Sequence, residues 1–192
     1  PNYVKTAGQA DRRIARREPL SSITTHQSPD FKMANLTDSA KSHHFKTHRR
    51  TITETDIVTF VNVVGLHEPF FIDMEYIREN MTGSHRSRFA PGPMVISLGM
   101  GLLATYVSDI IKQVLEGREV GPFGGMTGVQ ARLRGALFPG DTIHVEGEAR
   151  LLPTTSRGYT LMELQHLVIN QRGETIADFT ETITFLPAAP AP

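Results

Sequence analysis

An α+β fold, in which an antiparallel sheet wraps around one buried helix, is what the 192-residue sequence predicts. Three observations carry that expectation. The stretch APGPMVISLGMGLLATYVSDIIKQVLEG (residues 90–117) is apolar on nearly all sides. A helix without a wet face belongs in a core when no apolar run approaches the roughly 20 residues that cross a bilayer. From Thr127 onward the rhythm changes to four extended stretches, TGVQARLRGAL, DTIHVEGEARLL, GYTLMELQHLVIN and ETIADFTETITFL. In the second, Ile143, Val145, Ala149 and Leu151 alternate with polar residues, giving one buried and one wet face. One sheet, one long apolar helix and no second layer leave wrapping as the way to bury both.

Each element has a local reason. RTITETDIVTFVNVVG carries Thr53 three residues before Asp56, a shortened capping box. Ile57, Phe60, Val61 and Val64 then share one helical face, and Gly65 is the expected stop. Asp73 opens a second short helix, DMEYIREN, as its N-cap. Pro91 and Pro93 stand at the start of the long helix, where missing N–H groups cost least. Gly99 and Gly101 lie inside it, at about 1 kcal/mol each relative to alanine, an expense that close packing would justify. Phe138–Asp141 (FPGD) has the residues of a type II turn, Gly173 marks a second hairpin turn, and LPTTSRG is a longer link. Strands joined in this way are expected to form an antiparallel meander.

Composition narrows the function. The chain has no cysteine, which removes disulfides, thiolate nucleophiles and cysteine-bound zinc. Its net charge of zero hides an asymmetry, since residues 1–50 hold ten Lys/Arg against four Asp/Glu. That amino-terminal stretch has few apolar residues and no sustained period, so a flexible basic extension is expected over residues 1–44, followed by one domain over 45–186 and a disordered tail over 187–192. Two origins stay open for residues 1–32, an organelle transit segment or sequence upstream of a start at Met33. The three histidines of SHHFKTHRR lack carboxylate or cysteine partners at ligand spacing, so no metal site is expected. The glycine-rich GPFGGMTG lacks the lysine of a phosphate loop. No Gly-x-Ser-x-Gly elbow points to a serine hydrolase.

The order TETDIVTFVNVVGLHEPFFID, FAPGPMVISLGMGLL, LFPGDTIHVEGEA resembles the MaoC-like acyl dehydratases of the hotdog fold, from about Arg50 to Leu186. The resemblance implies a curved antiparallel sheet around a central helix. It implies water addition to, or removal from, an enoyl- or 3-hydroxyacyl thioester of coenzyme A or acyl carrier protein. It further implies a homodimer or higher homo-oligomer, no cofactor, and neither nucleic acid nor membrane as partner. A cytoplasmic location is expected, with organelle targeting by the extension as the alternative.

The family motif is Asp-x-Asn-Pro-(Leu/Ile)-His-x-Asp, whose first Asp and His handle protons. Here Pro69 and Asp73 match, whereas Leu66 takes the catalytic Asp position, Glu68 the Asn position and Phe71 the catalytic His position. The resemblance also implies that Gly92, behind Pro91 at the helix start, offers its backbone N–H to the thioester oxygen, with Ser97 a polar neighbour on the same helix. Hydration needs a base for water and an acid for the α-carbon, so His67 and Glu68 become the candidate pair, Glu68 foremost because it occupies a family site position. Asp73, the third titratable group of the stretch, is a further catalytic candidate besides its expected capping role. The competing functions are a hotdog thioesterase, with Glu68 activating water, and a non-catalytic subunit that binds acyl thioesters. Arg132 and Arg134 are candidate contacts for substrate phosphates.

Overall fold

In the computed structural model residues 42–188 are described; most of the expected extension and the last four residues of the tail lie outside them. The elements run β1 (Ser42–Lys46), β2 (Arg50–Thr51), α1 (Glu54–Val64), α2 (Pro69–Ile72), α3 (Met74–Asn80), α4 (Gly92–Leu103), α5 (Val107–Leu115), β3 (Phe123–Leu133), β4 (Thr142–Leu151), β5 (Thr160–Asn170) and β6 (Thr175–Phe185). β1 begins three residues inside the stretch assigned to the extension. All strands join one antiparallel sheet in the order β1-β4-β5-β6-β3, with β2 also on β4.

Two expectations need correction. The long helix is broken, with α4 and α5 meeting at an angle of 67°. The break falls at Ala104–Tyr106, where Tyr106 Oη accepts from the His48 backbone N–H at 3.0 Å and lies 3.2 Å from His48 Nδ1. That tie anchors the corner to the β1–β2 link. The meander also holds only for β4-β5-β6; β3 pairs with β6, not with its sequence neighbour β4. The FPGD turn forms, with the Asp141 N–H on the Phe138 carbonyl at 3.1 Å and Gly140 at φ 91°, but it belongs to a crossover and not to a hairpin.

Elsewhere the local chemistry acts as expected. Thr53 and Asp56 complete a reciprocal capping box, and Gly65 ends α1 in the left-handed conformation at φ 71°. Ile57 and Val61 are fully buried, worth about 1.5–3 kcal/mol each; Phe60 is half-buried, and Val64 faces out. Arg50 Nη2 reaches Asp56 Oδ1 at 2.6 Å and ties β2 to the cap.

α4 packs across β4, β5 and β6. At Gly99 an added Cβ would lie 2.9 Å from Phe179 Cε1 and 3.0 Å from Val168 Cγ2, so the backbone touches the sheet directly there. Gly101 has nothing within 4 Å. The other face of the sheet is wet and carries ion pairs such as Arg150–Glu163 and Lys46–Glu146. Overpacking a core contact costs about 1–3 kcal/mol, whereas alanine for a free helical glycine gains about 0.5–1 kcal/mol. Gly99→Val is therefore expected to lower the denaturation midpoint and Gly101→Ala to raise it; equal shifts in chemical denaturation would show that the helix does not rest on Gly99.

Candidate functional site

The start of α4 is built by an unusual run of residues. A helix normally begins with four backbone N–H groups lacking intrahelical partners. Here Pro91 is the N-cap and Pro93 the second helical residue, and neither has an N–H. Met94 and Val95 N–H both donate to the Pro91 carbonyl, at 2.9 and 3.2 Å, and the Ala90 N–H donates to Leu137 at 2.7 Å. Gly92 is left as the one unpaired donor of the first turn, half-buried between buried Pro91 and exposed Pro93. On its side facing the sheet, an added Cβ would sit 2.2 Å from Leu133 Cδ1, on the last residue of β3. One donor at the positive end of a helix, beside apolar surface, is suited to a single carbonyl oxygen that gains negative charge.

The motif stretch Gly65–Asp73 stands beside this helix start because an aromatic cluster holds it there. Phe71 is buried, 4.6 Å from Phe70 and 5.6 Å from Phe89 between ring centroids, and Phe89 lies three residues before Gly92. Leu66 is half-buried against the same core. Arg88, whose side chain is only 14% exposed, reaches the Glu54 carboxylate in α1 and the Phe71 carbonyl in α2. Thus one guanidinium clamps α1, the motif stretch and the approach to α4. Sequence reasoning missed Arg88, a lone cation ahead of an apolar helix with no periodic or motif context.

The remaining candidates divide. His67 and Glu68 are both exposed. Glu68 is the N-cap residue of α2, but its side chain makes no capping bond. Asp73 is occupied as an N-cap, Oδ1 accepting from the Glu75 and Tyr76 N–H groups at 3.0 Å each, so its catalytic assignment gives way to a structural one. Ser97 Oγ donates to the Pro93 carbonyl one turn back at 2.9 Å and is likewise exposed. Arg134 is paired with Asp178, leaving Arg132 as the more available of the two basic residues on β3. Phe71 is thus tied through Phe89 to the residues just before Gly92, whereas His67 and Glu68 face solvent.

With that geometry in hand, comparison with known proteins is decisive about kinship. The family described as FAS1-like, dehydratase domain region, matches residues 39–179, about three quarters of the chain. The chain belongs to that family. The fold has relatives among solved structures. A MaoC-like dehydratase from Rhodospirillum rubrum superposes with a TM-score of 0.57 at 24% identity, covering 81% of this chain and 98% of that one. A monoamine oxidase regulatory protein from Archaeoglobus gives 0.57 at 22% identity, covering 77% and 91%. A HadBC (3R-hydroxyacyl-ACP dehydratase) complex from Mycobacterium tuberculosis gives 0.51 at 15% identity, covering 76% and 95%. No curated protein sequence matches the chain. The expected MaoC-like hotdog architecture therefore holds for this FAS1-like dehydratase-region protein.

Because Asp73 caps α3, Asp73→Ala should cost about 1 kcal/mol of stability. The loss is expected as a lowered midpoint in a thermal melt, while the circular dichroism spectrum well below the transition stays that of the wild type.

Proposed function

We propose that this protein is a MaoC-like hydratase or dehydratase acting on an enoyl- or 3-hydroxyacyl thioester of coenzyme A or acyl carrier protein. The observation that carries this reading is the single unpaired Gly92 N–H at the start of α4. In hydration, water oxygen bonds to the β-carbon, the carbon–carbon π pair moves toward the carbonyl, and charge collects on the thioester oxygen. An oriented N–H lowers the energy of that enolate. Glu68 takes the proton released by water, and His67 gives one to the α-carbon; dehydration runs the same transfers backwards.

The chain works as a dimer in this proposal, with a second copy along β3. That strand has 11 residues and, among the described residues, a free edge, and it exposes Phe123, Met126, Val129 and Leu133 at 60%, 52%, 39% and 55%. A long apolar edge is a template for another strand. The partner's surface would then close over the rim where His67 and Glu68 stand. A second reading, a non-catalytic subunit that holds the thioester for a partner carrying its own acid and base, is favoured by Leu66 and Phe71 in the motif.

The assay follows enoyl absorbance and free thiol separately on short and branched enoyl-CoA and 3-hydroxyacyl-CoA. Enoyl change without thiol release is expected; thiol release would instead mark a thioesterase. Glu68→Gln and His67→Ala should each lower turnover by on the order of 10²-fold or more. Full rates in both variants would remove the proton chemistry from this pair, and thioester binding without any turnover would favour the subunit role. By sedimentation the wild type should be a dimer and Met126→Lys shifted toward monomer; a monomeric wild type overturns pairing along β3.

A further inference from the structure

The face of the sheet turned toward α4 is apolar along β6, where Ala177, Phe179, Ile183 and Phe185 are buried, with one exception. Glu181 stands in that same alternating row, its side chain 17% exposed. Beside it lies His166 of β5, entirely buried. The imidazole stacks on Phe179 with centroids 4.3 Å apart and planes 10° off parallel, and it meets Phe45 edge-on at 5.9 Å. His166 Nε2 is 3.4 Å from Glu181 Oε2, close enough for a charge contact but not aligned as a hydrogen bond, and both ring nitrogens lack hydrogen-bond partners. A buried polar group left in this state is a net cost to folding. Core packing alone gives no reason to place a carboxylate and an unsatisfied imidazole in an apolar row.

Register shows what Glu181 can reach. It is paired with Leu164 on one side and with half-exposed Val129 of the edge strand on the other. Along β3, Leu133 touches Gly92, and Val129 is two same-face steps away, roughly 13 Å at the rise of a strand. That separation is too large for Glu181 to exchange protons with the α- or β-carbon of a thioester docked at Gly92. It is instead a distance for the far part of an acyl chain lying on the Leu133–Val129 stripe.

We propose that Glu181, positioned by His166, is a specificity-determining residue that accepts a hydrogen bond from a polar group, such as a hydroxyl, carried on the distal part of the acyl chain. This rests on the thioester site at Gly92. A plain alkyl end would leave the carboxylate desolvated without a partner, whereas a hydroxyl would satisfy it; such a difference is worth on the order of tenfold or more in discrimination.

The test compares crotonyl-CoA, a straight medium-chain enoyl-CoA and its ω-hydroxy analogue on the full chain. The wild type should favour the ω-hydroxy ester over the alkyl ester by on the order of tenfold in kcat/KM, chiefly through KM. Glu181→Leu should reverse that preference and leave crotonyl-CoA turnover unchanged, because crotonyl is too short to reach the site; Glu181→Gln, which keeps an acceptor, should retain part of it. If crotonyl-CoA is turned over but the wild type does not favour the hydroxy ester, or Glu181→Leu changes stability and leaves the ratio alone, the pair is structural and the inference is wrong. If no CoA ester is bound or turned over, the thioester reading falls and takes this inference with it.

Discussion

The closeness of α4 to the sheet is the constraint on which the rest of the molecule depends. Gly99 lets the helix backbone meet Phe179 and Val168 without an intervening side chain, and Gly92 does the same against Leu133 at the other end. Contact at two points about two turns apart fixes both the height and the direction of the helix over the strands. Everything functional is referred to that axis. The Gly92 N–H faces a defined place because the helix cannot lift, and the Phe70–Phe71–Phe89 cluster draws the motif stretch to the same end. The helix propensity lost at Gly99 is thus offset by contact. At Gly101 no such contact exists, and a structural reason for that residue is absent.

The motif stretch trades chemistry for packing. A carboxylate and an imidazole in the positions of Leu66 and Phe71 would need hydrogen bonds to offset burial. A leucine and a phenylalanine need none, and they join the core on their own account. The polar residues of the stretch, His67 and Glu68, meet solvent in the single chain. Arg88 supplies what the apolar side chains cannot, a directional link from α1 through the Phe71 carbonyl to the residues before α4. The stretch is held by dispersion on one side and by a charged clamp on the other, so its position does not depend on the residues proposed to act on substrate.

Much of this was legible in the chain, wherever the determinant is local. The Thr53–Asp56 box, the Asp73 cap and the Gly173 hairpin depend on neighbours a few residues apart, and each formed as expected; the alternation of β4 holds except at His144, which is buried on the polar side. The bend between α4 and α5 was not legible, because it is anchored by His48, 58 residues from Tyr106. Nor was the place of β3, since alternation identifies a strand but not its partner, and the FPGD turn looks the same in a hairpin and a crossover. Within the candidate site, the expectations for Gly92, Leu66 and Phe71 come from the motif alone. The ring nitrogens of His166 and their neighbour Glu181 could not be read in that way, although both occupy inward positions of alternating stretches. The alternation marks the face, while the register that brings β5 and β6 residues together belongs to the folded sheet.

The two unmet demands of the chain lie side by side. Among the described residues, β3 has a row of backbone groups without a strand on one flank and apolar side chains without cover on the face turned toward α4. A second strand satisfies the first demand, and it does so in the plane of the sheet. It leaves the second largely untouched, because side chains of a pleated strand stand perpendicular to that plane. The proposed pairing of two copies would therefore extend the sheet and leave Leu133 and Val129 uncovered on the face turned toward α4. An apolar stripe that ends near a single N–H is the surface on which the proposed thioester would lie, and a strand added at the sheet edge would not fill the face above it.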